Sequence, residues 1–494
     1  MTRHMSGAAV LGDAPPADTS SEVSHRRMMS SAGVMGASHL GAQACAYGSL
    51  IFLARIVSPS DFGTIAIGTT VVYAAALVVS HGTLGGIVVR PRLSRRHLIG
   101  AVMGCLLISV VLAGLMAGLA GPFVRLFASG GDPHAFAALA LCLPLYAIAL
   151  VPTALLQRSM AFGRLAGINA FANVTSALAA VAVGLEGLGV WALVVRLLGT
   201  FALQALLTNL CCRSALREAL TSPRAPGDFS AARGGDRWFF LFAVAYMLTM
   251  NQDNLVIGQS TDAHVVGLYA LAFTIAMSPC TQFAEQVGKV LLAAAAAAPE
   301  ESRGQAEHSV ALMSALLMPL LPAGIVLAPV VLPAVLGPHW TPAVPVFQVL
   351  LIAAVGMAIV NCLGESLAGA GHMAFRAKIM VVRCVATFIG LVALVHIAGL
   401  TGAALAHLIV FVPCAVLYCS IGARLVGTSA GALWHRVRPA LAALAIQISV
   451  TGAVALVLWG CGAPGVLTHT IAAVAGLATV LPWVIRSVIR LVRP

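Results

Sequence analysis

Uninterrupted apolar stretches of 18 or more residues recur from residue 28 to residue 490. Each is long enough to cross about 30 Å of hydrocarbon as an α-helix. Inside lipid, every backbone N–H and C=O must be bonded within its own helix or within a closed barrel. Barrel strands alternate apolar and polar residues, and these runs do not. Charge content agrees: only 9% of the 494 residues are charged and mean hydropathy is +0.98, where a soluble domain is roughly a quarter charged. The chain reads as an all-α polytopic membrane protein.

Fourteen spans can be laid out, at 28–56, 63–89, 98–120, 134–156, 163–185, 188–212, 237–259, 265–289, 306–332, 343–368, 377–397, 401–424, 437–460 and 466–489. The links between them alternate in charge. One set carries Arg26 and Arg27, the stretch RPRLSRRH at 90–97, Arg158 and Arg164, and five arginines in 213–237. It continues with Lys289 and Arg303, Arg376 and Lys378, then Arg424, Arg436 and Arg438, and last Arg486, Arg490 and Arg493. The other set reads SPSD, GGDP, EGLG, STDAH, GPHW, AGLTG and GCGAPG, with only Arg55 and Arg125 nearby. Cytoplasmic loops collect Lys and Arg, so both termini are expected in the cytoplasm. The net charge of +12 then reflects topology and contact with anionic lipid heads, without nucleic acid. Residues 1–27 are polar and rich in Ala, Pro and Ser, which predicts a disordered cytoplasmic tail. They show no signal-peptide cleavage site.

The chain also repeats itself. SPSDFGTIAIGTTV (58–71) is echoed by STDAHVVGLYALAF (260–273), with Gly63 over Gly267. MAF at 160–162 recurs at 373–375, and the same offset sets Gly189 over Gly402. Copies six helices apart keep one orientation, so the repeat is parallel, about an axis near the membrane normal. This predicts two six-helix bundles, at 28–212 and 237–424, enclosing a central cavity. A cytoplasmic linker at 213–236 would join them, and two extra C-terminal helices would occupy 425–494.

Ionisable groups inside spans are costly and mark cavities or ion pairs. Arg196 lies about eight residues from the nearer helix end, roughly 12 Å at 1.5 Å per residue, near the limit of its reach. Asp253 sits in the run NQDN, flanked by Asn251, Gln252 and Asn254. A buried ion pair and a transport site both fit it. Arg55 either snorkels to the outer interface or lines the cavity. Arg383 stands within two turns of the cytoplasmic edge, where snorkelling is the simpler reading. Glu285 and Glu365 stand near cytoplasmic helix ends, where pairing with Lys289 or a loop arginine competes with substrate contact. His39, His81 and His407 are lone histidines on apolar helices and read as packed residues. The eleven cysteines lie mostly in apolar runs and read as small buried side chains. No CxxC, P-loop, GxSxG or HExxH motif is present. Neither a cofactor, a metal site nor an enzymatic activity is expected.

The stretch LARIVSPSDFGTIAIG (53–68), followed by LQRSMAFGRLAGINA (156–170), GLGVWALV (187–194), NQDNLVIGQ (251–259), VGLYALAF (266–273) and FQVLLIAAV (347–355), resembles the polysaccharide exporters of the multidrug/oligosaccharidyl-lipid/polysaccharide superfamily. The resemblance covers residues 30 to about 425, with the motifs in order. It implies a flippase that moves undecaprenyl-pyrophosphate-linked oligosaccharide across the bacterial inner membrane by alternating access between two lobes. A polysaccharide polymerase and glycosyltransferases would be its working partners. Where the family pattern after the helix-7 aspartate often ends I-G-R, this chain has Gln259, the repeat counterpart of Arg55. On this reading Arg196 and Arg55 would bind the pyrophosphate, by charge-assisted contacts. Asp253, Asn251, Asn254, Gln259, Glu365 and Arg383 would form the polar or coupling lining. A cation-coupled multidrug or small-molecule antiporter with carboxylates as ion sites, and a non-transporting scaffold of a polysaccharide assembly complex, remain alternatives.

Overall fold

The computed structural model describes residues 43, 45–80, 95–159, 161–221, 236–297 and 302–492. The expected tail at 1–27, most of the first span, His39, His81, residues 90–94 of RPRLSRRH and the core of the 213–236 linker lie outside the described residues. The helices are α1 (Cys45–Ile56), α2 (Pro59–Ser80), α3 (Arg95–Gly118), α4 (Ala120–Phe127), α5 (Pro133–Leu139), α6 (Cys142–Arg158), α7 (Phe162–Leu185) and α8 (Val190–Thr221). They continue with α9 (Asp236–Ser260), α10 (Ala263–Ala297), α11 (Ser302–Leu317), α12 (Leu320–Leu336), α13 (Val344–Gly369), α14 (Met373–Leu417), α15 (Ala430–Gly460) and α16 (Gly465–Val492).

The all-α polytopic expectation holds, and no strand occurs among the described residues. Eleven segments there are long and apolar enough to cross a membrane. One of them, Met373–Leu425, contains two spans, because α14 breaks at Ala398 and Gly399, the latter at φ +55. Glycine takes that left-handed conformation without the penalty a Cβ would bring. With α1 and the more polar α9 added, the fourteen spans read from the sequence are all represented. By contact the chain forms two compact units: residues up to Phe240 with Asp262–His264, and Leu241–Thr261 with Val265 onward.

In the first unit, the SPSD link is a helix start. Ser58 Oγ donates to the Asp61 carboxylate at 2.8 Å and accepts from the Asp61 backbone N–H at 3.2 Å. Pro59 opens α2, where its missing N–H is harmless. The serine caps the helix start, and the carboxylate is well placed in the first turn. Leu53 and Ala54, immediately before it, are fully buried.

Two interior prolines explain two polar side chains. Pro152 in α6 has no N–H to give the carbonyl four residues earlier, and Asn209 of α8 donates to that Ile148 carbonyl at 3.1 Å. In the second unit, Pro329 of α12 frees the Ile325 carbonyl, which accepts from Gln348 of α13 at 2.8 Å. Membrane helices tolerate proline when a neighbour re-satisfies the freed group. At the break between α11 and α12, Gln447 of α15 donates to the Pro319 carbonyl at 2.9 Å. The two C-terminal helices thus pack on α11 and α12, within the second unit. Glu307 of α11 also accepts from Thr428 at 2.6 Å and meets Arg436 of α15 at 3.5 Å.

Candidate functional site: polar groups inside the spans

Arg196 is half-buried on α8, and its guanidinium donates to the Ala46 carbonyl of α1 at 2.9 Å. Tyr73 of α2 lies within its electrostatic reach. One of five guanidinium donors therefore clasps two helices of the first unit. Arg55 is exposed on the last turn of α1. These two residues share a unit.

The second unit collects more of the expected residues, in two clusters. In the first, Asp253 of α9 and His407 of α14 have side chains 2% and 0% exposed. Asp253 Oδ2 accepts from Tyr269 Oη of α10 at 2.8 Å and lies 2.9 Å from His407 Nε2. Asp253 Oδ1 and His407 Nδ1 have no hydrogen-bond partner among the described residues.

In the second cluster, Glu365 of α13 takes both ends of the Arg376 guanidinium, at 2.9 and 2.6 Å. Arg376 also donates to Asn361 Oδ1 at 3.2 Å and stacks its guanidinium carbon 4.2 Å from the Phe242 ring centroid. Two glycines make room. A Cβ at Gly288 would sit 2.7 Å from Glu365 Cγ, and one at Gly364 3.2 Å from Arg376 Nε. Arg383, half-buried two turns further along α14, donates to Met357 Sδ at 2.6 Å.

Other expected members stand apart. Asn251 bonds back to the Met247 carbonyl of its own helix at 2.9 Å, and Gln259 is exposed near the end of α9. Asn254 is half-buried. His407 and Tyr269 are not among the expected site residues: His407 lies 154 residues from Asp253 in an apolar helix, and Tyr269, 16 residues on, sits in the apolar helix that follows. The usable signal was indirect: a carboxylate buried in a span needs polar partners, which makes every lone His and Tyr in other spans a candidate. Among the described residues no group of His, Cys, Asp and Glu is arranged to hold a metal ion, and all eleven cysteines are free.

A multi-pass helical membrane protein with charged groups held inside its spans is the class this fold and chemistry define. The family model described as "Polysaccharide biosynthesis protein" matches residues 52–345, and the chain belongs to that family. No curated protein matches the sequence. Among solved structures it is similar to the lipid II flippase MurJ in an inward closed conformation, with 12% identity, 92% of this chain and 99% of that one covered, and TM-score 0.68. A multidrug resistance MATE family transporter of the MOP superfamily, inward-facing, aligns at 15% identity over 82% and 99%, with TM-score 0.54. A MATE protein in complex with MaL6 aligns at 14% identity over 87% and 99%, with TM-score 0.52. These likenesses establish the fold, which this chain shares with the flippase and the MATE transporters.

Proposed function

We propose that the protein is a flippase for lipid-linked oligosaccharide, carrying undecaprenyl-pyrophosphate-linked repeat units across the bacterial inner membrane by alternating access between its two lobes, with both termini cytoplasmic. Membership of the polysaccharide biosynthesis family carries the reading. The MurJ likeness supports it, since that protein is a flippase of another lipid-linked precursor. Physically, a pyrophosphate with attached sugars cannot enter hydrocarbon unaided, because desolvating its charge is prohibitive. A guanidinium inside a span offers it a charge-assisted, bidentate contact, while the polyprenyl tail remains in lipid. Arg196 takes that role in the first unit, with Arg55 as an auxiliary contact. The test is surface polysaccharide in a deletion strain complemented with wild type, Arg196→Ala or Arg55→Ala at matched expression. Unchanged polysaccharide with both variants overturns the assignment.

A cation-coupled antiporter is the second reading, and the Asp253–His407–Tyr269 cluster favours it. It predicts proton- or sodium-driven drug efflux in membrane vesicles and no polysaccharide defect on deletion.

A further inference from the structure

Arg383 is placed unlike its neighbour Arg376. Three of the five guanidinium donors of Arg376 are taken by Glu365 and Asn361, and Glu365 itself is packed against Gly288. Arg383, by contrast, bonds to the sulfur of Met357, a weak acceptor. A guanidinium held inside a membrane span with a thioether for a partner is strongly disfavoured unless a better acceptor reaches it.

Beside it lies a cavity of about 50 Å³ between α9, α13 and α14, lined in part by Arg383, Arg376, Asn361, Tyr246, Tyr418 and Met357. That is space for several water-sized groups. Tyr246 and Tyr418 both lie within electrostatic reach of the two guanidinium groups, and each carries a phenolic donor. Acidic groups are close as well. Glu365 is committed to Arg376, Glu285 is within reach of Tyr246, and Asp253, held by Tyr269 and His407, is within reach of Arg383. The field around the cavity is therefore mixed. An anion would be held there by directed hydrogen bonds rather than by net charge, which favours phosphate oxygens over a halide. The planar fork of an arginine matches such oxygens.

We propose that this cavity is a phosphate-class anion site in the second unit, with Arg383 as its principal ligand and the Tyr246 and Tyr418 hydroxyls as further donors. Under the flippase reading, on which this identification of the ligand rests, the anion is the pyrophosphate of the lipid-linked substrate. Free phosphate or pyrophosphate has the same chemistry and is the other source.

The test uses the full chain in lipid nanodiscs, with binding of radiolabelled inorganic pyrophosphate and of undecaprenyl pyrophosphate measured by equilibrium filtration. Wild type, Arg383→Ala, Arg383→Lys and Tyr418→Phe are compared, with Arg125→Ala as a control in the first unit. Losing a charge-assisted bond weakens binding about tenfold or more. The expected order is Arg383→Ala weakened about tenfold or more, Arg383→Lys intermediate, Tyr418→Phe weakened a few-fold, and the control unchanged. Tyr418→Phe keeps the ring packing and serves if the alanine variant does not fold. Arg383-dependent binding of inorganic pyrophosphate, with no binding of undecaprenyl pyrophosphate, keeps the site and removes the flippase reading. Undecaprenyl pyrophosphate binding that is equal in wild type and Arg383→Ala keeps the flippase reading and overturns the site. Wild type that binds neither probe also overturns the site.

Discussion

The two units handle charge in opposite ways. Among the described residues of the first unit, the acids Asp61, Asp132, Glu186, Glu218, Asp236 and Asp262 stand in the first or last turn of a helix or in a link. Its mid-span cation, Arg196, is bonded to a backbone carbonyl. The second unit buries acids within its helices and answers them, Glu365 with Arg376 and Asp253 with His407 and Tyr269. A neutralised pair contributes little field, whereas a guanidinium on a carbonyl keeps its charge for a ligand. The difference teaches that the first unit leaves its mid-span cation to a backbone carbonyl, whereas the second answers Arg376 with an acid and leaves Arg383 on a thioether.

Removing one partner of a buried pair should produce the largest effect. Glu365→Ala leaves the Arg376 guanidinium, 5% exposed, without its carboxylate, and should cost about 3–5 kcal/mol in thermal unfolding in detergent. The paired change Glu365→Leu with Arg376→Met should be close to neutral. If the single and paired variants unfold alike, the second unit does not internalise its charge as described. Next, His407→Leu strips Asp253 of one of its two bonds and should cost about 1.5–3 kcal/mol. Adding Asp253→Asn should restore most of that loss, and absence of recovery would mean that ring packing dominates.

The carbonyls freed by proline should give intermediate effects. Gln348→Leu or Asn209→Leu orphans a carbonyl, at about 1–3 kcal/mol each. Combining Asn209→Leu with Pro152→Ala should lessen the cost, because a backbone N–H then returns to the Ile148 carbonyl; additive losses would break this account. The smallest change in stability belongs to Arg55→Ala, an exposed side chain, at within about 0.5 kcal/mol. A large loss there would make Arg55 a structural anchor.

Much of the fold was legible because periodic constraints in lipid are severe. Every span in the sequence had to satisfy its own backbone, so length and apolarity marked all fourteen. The SPSD start was legible for the same local reason: serine, proline and aspartate at fixed offsets make a cap. The site was less legible. Asp253 stood out as a lone carboxylate, yet His407 is 154 residues away and looked like an ordinary packed histidine. The pairing of Glu365 with a loop-side arginine is legible from their shared place at one end of neighbouring helices, while the thioether partner of Arg383 has no sequence signal at all. The proline-linked amides Asn209 and Gln348 were hidden too. Their purpose depends on which carbonyl a different helix leaves open, and spacing along one helix does not encode that.

The central claim is that lipid-linked oligosaccharide crosses the membrane through this protein by means of Arg196. The most direct measurement is flipping in proteoliposomes. A fluorescent undecaprenyl-pyrophosphate oligosaccharide is loaded into both leaflets, and a membrane-impermeant quencher reports how much reaches the outside. Protein-containing vesicles should expose the inner-leaflet pool, and Arg196→Ala should slow that exposure about tenfold or more, the equivalent of one lost charge-assisted contact. Exposure no faster than in protein-free vesicles, or equal rates for Arg196→Ala and wild type, would contradict the account.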